Sequence, residues 1–430
     1  MICDNISYSP DGFLLFAGQN VSRLCENYGT PLYLMDAEKI RHNCRIYKNA
    51  LAAAFGDRAL PLFASKACSF KDIYRIMSSE GMGIDVVSCG EIFTAFSAGF
   101  DLSKAFFHGN CKTDADIAYA MDHKVGYFVA DNRDELIAVS NEAKKRNITQ
   151  KVILRLTPGI DTHTYEAVNT GKVDSKFGAP IETGQAEELA VFASSLPDIE
   201  LCGFHCHVGS QVFGEDVFER TADIMISFIG LLDSKYSIKT KILDLGGGYG
   251  VRYVESDPFV NIPEKIASVA ERIKTDCEKA KVDVPFICLE PGRSIVADAG
   301  MTAYTVGSVK EIPGYKNYVA VDGGMTDNPR FALYKSRYTV LAAQRKNAPE
   351  FVFTLAGRNC ESGDILAENV RQPKPERGDY IAVATTGAYN FSMSSEYNRV
   401  PRPPVVMIDG EKTYVAVRRQ TFEDVAERDV

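Results

Sequence analysis

Between residues 60 and 293 one pattern repeats: a short apolar run, a polar or glycine-bearing end, then a stretch with helical spacing of apolar residues. The runs are LPLFAS (60–65), GIDVVS (83–88), AFFHG (105–109), GYFVAD (126–131), KVILRLTP (151–158), LCGFHCHVG (201–209), KILDLGGGY (241–249) and FICLEPGR (286–293). The clearest intervening helix is 215–233, where Val217, Phe218, Thr221, Ile224, Met225, Phe228, Leu231 and Leu232 share one face. Strands that alternate with helices make a parallel sheet joined by right-handed crossovers. Eight such units over about 230 residues predict a closed α/β barrel of the (β/α)₈ TIM type rather than an open sheet.

Past residue 300 the pattern changes. TAYTVGSV (302–309), NYVAVDGG (317–324), RYTVLAA (337–343), FVFTLAG (351–357), YIAVATTG (380–387), VVMID (405–409) and TYVAVRR (413–419) are short, β-rich and separated by turn residues. They predict an antiparallel C-terminal β domain, sandwich- or barrel-like. The opening segment ISYSPDGFLLFAG reads as equally β-like and is expected to add a strand to it. The expected division is a barrel over 35–298 and a β domain assembled from 1–34 and 299–430.

Composition removes several function classes. Lys+Arg 48 against Asp+Glu 57 leave a net charge of −9, a poor match for nucleic acid or an anionic membrane surface. The 11 cysteines are odd in number and irregularly spaced, which argues for a reducing compartment rather than a disulfide framework. The N-terminus MICDNISYSPDG has no basic start or apolar run, and no apolar stretch approaches the roughly 20 residues that span a bilayer. A cytoplasmic enzyme without nucleic-acid or membrane partners is expected.

Barrel chemistry gathers at the carboxyl ends of the strands. This sequence places there Lys66, Asp85 and Ser88, His108 and Asn110, Arg155, His207 with Gly209 and Ser210, Gly246-Gly247-Gly248, and Glu290 with Arg293. Lys66 ends an apolar strand, where lost solvation disfavours the ammonium and makes the amine a nucleophile toward a carbonyl. A snorkelling surface lysine and an ion pair with Asp85 are the alternatives. The glycine run is no dinucleotide fingerprint, because Val251 stands where a third glycine is required. Its bare N–H groups suit a phosphate, with Ser210 beside them, unless they only make a tight turn. His205 and His207 share a strand face by the period of two. They suggest a metal, and a barrel hydrolase with it, although six histidines in the chain are few for such a site. A core histidine or a ring stacked on a flat ligand fits them equally. Glu290 would keep an aromatic nitrogen protonated and Arg293 would grip an anion; a mutual surface pair is the plainer alternative.

FASKA (63–67), GIDVVSCGE (83–91), FHGN (107–110), TGKVDSKFG (170–178), HVGSQ (207–211), DLGGGYG (244–250), EPGRSIVA (290–297), DGGMTDNPR (322–330), CESGD (360–364) and GAYNFSMSSEYN (387–398) together resemble the diaminopimelate decarboxylase family of fold-type III pyridoxal-phosphate enzymes. The resemblance runs through the whole chain in the same order. It implies decarboxylation of meso-diaminopimelate to L-lysine and carbon dioxide with pyridoxal 5'-phosphate as cofactor and no metal. Lys66 would hold the cofactor as a Schiff base, His207 would stack on its ring and Glu290 would pair with the ring nitrogen. Ser210, Gly246, Gly247, Gly248, Gly292, Arg293 and Tyr389 would hold the phosphate. Arg293, Arg330, Tyr334, Glu361 and Tyr389 match substrate positions, and Cys360 matches the proton donor. Cys360 and Glu361 would come from a partner subunit, which implies a homodimer with shared sites.

The chemistry agrees with those roles. The distal end of diaminopimelate carries an ammonium and a carboxylate, and Glu361, Arg330 and Tyr334 are the matching residue types. An ordinary thiol is protonated near neutral pH and so able to act as an acid. A carboxynorspermidine, ornithine, lysine or arginine decarboxylase is the alternative within the same class; polyamine-type substrates lack the distal carboxylate. Ser65, Asp85, His108, Asn110 and Arg155 sit in matching segments without an assigned role. Two departures from the family pattern, Tyr165 in place of His and Phe331 in place of Pro, bear only on the substrate side.

Overall fold

The computed structural model describes residues 1–160, 174–214, 216–345 and 347–430, so Tyr165 and the first four residues of TGKVDSKFG lie outside the described residues. The chain divides into two compact units, one of 44–250 and 260–292, the other of 1–43, 251–259 and 293–430.

The first unit is the barrel. Its strands are β1 (Ala59–Ala64), β2 (Gly83–Val86), β3 (Ala105–Phe107), β4 (Tyr127–Ala130), β5 (Gln150–Thr157), β6 (Ile199–Cys206), β7 (Ile242–Asp244) and β8 (Phe286–Leu289). Each pairs in parallel with the next, and β8 closes on β1 through Cys288 opposite Leu60. Leu62, Phe106, Val129, Ile153, Cys202, Ile242 and Cys288 project into the middle, so the barrel is a filled core and not a pore. Helix starts follow directly from the sequence. Ser88 and Asn132 each stand two residues beyond a strand and accept the N–H groups of Glu91 and Glu135, while Thr113 and Asp116 form a reciprocal capping box. These caps set the N-terminal ends of three helices at the carboxyl ends of the strands.

In the second unit the long strand Gly300–Lys310 is central. It pairs antiparallel with Leu32–Asp36, Tyr318–Val321 and Tyr380–Ala384. Two pairings are parallel, Tyr318–Val321 with Glu350–Ala356 and Leu32–Asp36 with Val405–Asp409, so the sheet is mixed rather than purely antiparallel. The N-terminal segment behaves differently from expectation. Ile6–Tyr8, Leu14–Phe16 and Gln19–Asn20 form a small sheet of their own, and the strand that joins the large sheet is Leu32–Asp36. Between them Val21–Tyr28 is a helix capped by Asn20 and buried through Val21, Leu24 and Cys25. Eight residues are too few for periodicity to outweigh the surrounding β pattern.

Asp327 ties this unit together. Tyr304 Oη–H and the Gly324 N–H donate to its carboxylate, and Tyr33 donates to its carbonyl. Burial pushes its carboxyl up from 3.8 to about 7. A carboxyl whose folded value is raised stabilises the fold fully below its unfolded value, and that contribution is lost as pH rises from about 4 to about 7. Asp327→Asn carries no such titration. The melting-temperature difference, wild type minus variant, is therefore expected to shrink between pH 5 and pH 8, and a pH-independent difference would contradict it.

Candidate active site

Lys66 does not ride on the strand but on a single 3₁₀ turn, Ser65–Ala67, that follows β1. Its side chain is 43% exposed, so the expected desolvation of the amine is not provided by the protein alone; the turn lifts it off the apolar strand. Its Nζ lies 3.9 Å from Oδ2 of the buried Asp85, the geometry of the ion-pair alternative. Burial pushes the Asp85 carboxyl up, against the charges of His108, Lys66 and Arg155, and neither of its oxygens has a hydrogen bond.

Glu290 directly follows β8, anchored by its N–H to the Gly246 carbonyl. His205 on β6 meets its Oε2 at 3.2 Å through Nε2. His108, just past β3, brings Nε2 to 2.7 Å from Oε1, outside the angle of a hydrogen bond. Burial opposes ionisation of Glu290, but the two histidines outweigh it and hold the carboxyl well below its usual range. Burial also lowers His205 to about 3, so this histidine is neutral. The two histidines of GFHCHVG thus do different things. β6 ends at Cys206, His205 turns to Glu290, and His207 Nδ1 accepts the Gly247 N–H at 3.3 Å. They do not form a metal pair, and the imidazoles that converge with a carboxylate are His108 and His205.

The glycine run is set by close backbone approach. A Cβ on Gly247 would stand 2.1 Å from the Glu290 carbonyl oxygen, and one on Gly248, at φ +121°, 2.2 Å from that of Gly209. Two of its N–H groups are already used, Gly246 on Asp244 and Gly247 on His207, so the run is not a set of bare donors. Gly247→Ala is expected to cost roughly 1–3 kcal/mol by overpacking and to displace Glu290; an unchanged urea midpoint would refute this. Gly292 likewise has no room for a side chain beside Ala64. Ser210 is half-buried in the turn after β6, Ser88 serves as a helix cap, Asn110 is exposed, and Arg155 is buried with its guanidinium 4.3 Å from the Phe177 ring centre.

The second unit gathers its own cluster. Arg293 and Arg330 are each only 6% exposed. Arg293 Nη1 donates to Tyr253 Oη at 2.7 Å and its guanidinium lies 4.7 Å from the Tyr389 ring centre. Arg330 lies 5.5–5.8 Å from the ring centres of Tyr253, Tyr334 and Tyr389 and donates to Ser336 Oγ at 3.2 Å. No carboxylate pairs with Arg330 among the described residues, and its Nε has no partner. Cys360 and Glu361 stand on an exposed turn whose frame is Asp364, which accepts the Met325 and Asn359 N–H groups at 2.6 and 2.8 Å. The Cys360 N–H goes to Asn398 and Glu361 accepts the Gly363 N–H. Among the described residues neither side chain bonds to Arg293, Arg330, Tyr334 or Tyr389. The sequence singled out neither Tyr253, in an irregular turn without a motif, nor Asp244, Asp327 and Asp364, which stand inside the DLGGGYG, DGGMTDNPR and CESGD motifs without a role of their own.

Buried polar atoms without a hydrogen bond collect at the barrel mouth: Ser65 Oγ, both Asp85 oxygens, Glu290 Oε1 and His205 Nδ1. A planar heteroaromatic ring with a nitrogen and polar substituents fits that donor and acceptor set. Fold and chemistry together define a barrel that handles a pyridine-type cofactor, and the family model described as pyridoxal-dependent decarboxylase, pyridoxal binding domain, matches residues 37–297. Diaminopimelate decarboxylase of Bacillus subtilis (strain 168) is 40% identical over 420 residues, covering 97% of this chain and 95% of the relative. The crystal structure of diaminopimelate decarboxylase from M. jannaschii superposes with a TM-score of 0.92 at 31% identity, covering 99% and 98% of the two chains. Its co-complex with L-lysine gives 0.90 over the same shares. The chain belongs to the pyridoxal-dependent decarboxylases, in the diaminopimelate decarboxylase family.

Proposed function

We propose that this chain decarboxylates meso-diaminopimelate to L-lysine and carbon dioxide, the last step of lysine biosynthesis, with pyridoxal phosphate as cofactor. The observation that carries the reading is a buried Glu290, held anionic by two imidazoles in a barrel whose mouth also presents a lysine amine. When bound, the cofactor supplies an electron sink for the electron pair left as carbon dioxide departs. Lys66 would anchor it by its amine. Glu290 would hold the proton on the ring nitrogen, and His207 would cover one ring face. Ser210, the Gly248 N–H and Gly292 are the phosphate contacts proposed on the barrel, with Gly246 and Gly247 shaping the turn. Arg293 and Tyr389 are proposed as cofactor-binding residues on the family resemblance.

Arg330 and Tyr334, with Arg293 and Tyr389, are proposed to hold substrate carboxylates, for which a buried guanidinium with no acidic partner among the described residues is suited. Glu361 would take the distal ammonium and the Cys360 thiol would deliver a proton to the α-carbon. Both are exposed, which supports a site completed by a second copy of the chain. Mixing Lys66→Ala with Cys360→Ala protein is expected to restore activity that neither has alone. No restoration would argue for sites contained in one chain. Among the described residues no helix is long and apolar enough to cross a membrane, and we place the enzyme in the cytoplasm.

The deciding assay is carbon dioxide release from meso-diaminopimelate by protein reconstituted with pyridoxal phosphate. Lysine, ornithine, arginine and carboxynorspermidine serve as competitors. Turnover of any of these in preference to meso-diaminopimelate would overturn the substrate assignment.

A further inference from the structure

We infer that His205 and His108 are positioning residues that clamp the Glu290 carboxylate from two strand ends and thereby set the protonation of the cofactor's ring nitrogen. The inference rests on the reading that Glu290 meets that nitrogen. It goes beyond that reading by assigning two imidazoles to the control of a single charge.

The geometry is specific. Glu290 follows β8, His205 lies on β6 and His108 follows β3, so three separate strands converge on one carboxylate. All three side chains are at most 5% exposed. The imidazole rings stand edge to face, 4.7 Å between centres, each addressing a different oxygen. His205 is neutral, so its Nε2–H is the donor to Oε2 and its Nδ1, without a partner, is the bare nitrogen. Oε2 is thereby fixed, and Oε1 is the oxygen left without an aligned hydrogen bond.

Two more buried acids and two cations stand in the same mouth. Asp244 ends β7 and pairs across to Cys288 on β8; burial, then the Glu290 charge, push its carboxyl well above its ordinary range. Asp85 is shifted in the same direction. Lys66 and Arg155 are the cations that act on Asp85 from the same mouth. Of three buried acids, Glu290 is the one held ionised, and the difference is that it alone has two imidazoles on it. A carboxylate that stays charged without water is what keeps a neighbouring pyridine nitrogen protonated. Removing His205 or His108 raises Glu290 toward its neutral form and takes that proton's acceptor away.

The test uses holoenzyme reconstituted with pyridoxal phosphate labelled with ¹⁵N in the ring, and reads the ring-nitrogen shift against pH. Wild type is compared with Glu290→Gln, His205→Asn, His108→Asn and His205→Gln, the last retaining an amide N–H near the position of Nε2. Wild type and His205→Gln are expected to hold the ring nitrogen protonated. In His205→Asn and His108→Asn its apparent pKa is expected to fall by at least about one unit, tenfold in the proton equilibrium. In these two variants kcat drops on the order of 10–100-fold, as for outer partners of metal ligands, while KM stays within about threefold. If wild type and Glu290→Gln give the same shift, the reading of Glu290 itself fails. If those two differ but both Asn variants follow wild type, the positioning role fails and the reading of Glu290 stands. If neither Asn variant folds, the histidines are structural and the inference falls.

Discussion

Lys66→Ala is expected to leave a folded but colourless protein whose kcat/KM on meso-diaminopimelate is lower on the order of 10³-fold or more, as for loss of a covalent anchor. The fold survives because Lys66 sits on a one-turn loop with its side chain 43% exposed and packs into no core. Its buried neighbour Asp85 is already pushed toward its neutral form by burial and takes up a proton when the ammonium is gone. The melting temperature is therefore expected to stay within a few degrees of wild type while the imine absorption band disappears on reconstitution. Retained colour together with retained turnover would mean that another amine anchors the cofactor.

Arg330→Met separates binding from folding in the opposite way. A guanidinium 6% exposed, without a carboxylate partner among the described residues and with an unpartnered Nε, carries an uncompensated desolvation cost. Methionine of similar length keeps contact with Tyr253, Tyr334 and Tyr389 without that cost, so stability against urea is expected to be unchanged or higher. Substrate recognition loses a buried charge-assisted pair worth about 2–5 kcal/mol, which is roughly 30-fold or more in kcat/KM. Arg330→Lys is not expected to rescue it, because a point charge cannot reproduce the planar fork. A variant that loses stability in proportion to activity would show that Arg330 is a structural residue.

The contrast between Lys66 and Glu290 shows what could be read beforehand. Both were legible as strand-end residues, because the alternation of apolar runs and helical stretches locates every strand end in a barrel. The environment of each was not. Burial of Lys66 was inferred from the strand before it, yet the chain turns once after Ala64 and lifts the amine toward solvent. Sequence and family pattern point Glu290 to a ring nitrogen or to Arg293. Its actual partners are 85 and 182 positions away, by the residue numbers of His205 and His108.

The surroundings of the glycine run were illegible for the same reason. Three consecutive glycines announce a backbone without side chains, but not what approaches it. Only the closure of β6, β7 and β8 around that turn brings the carbonyls of Gly209 and Glu290 within the space a Cβ would fill. It also brings Asp244 and His207 to the N–H groups.

By itself, then, the order of residues determined the fold class, the strand ends that carry chemistry and the family of reactions, because these depend on local periodicity and on short motifs. Tertiary structure alone decided which groups are charged. Ionisation in a buried site follows from desolvation and from partners brought in across the barrel, and neither has a signature in sequence spacing.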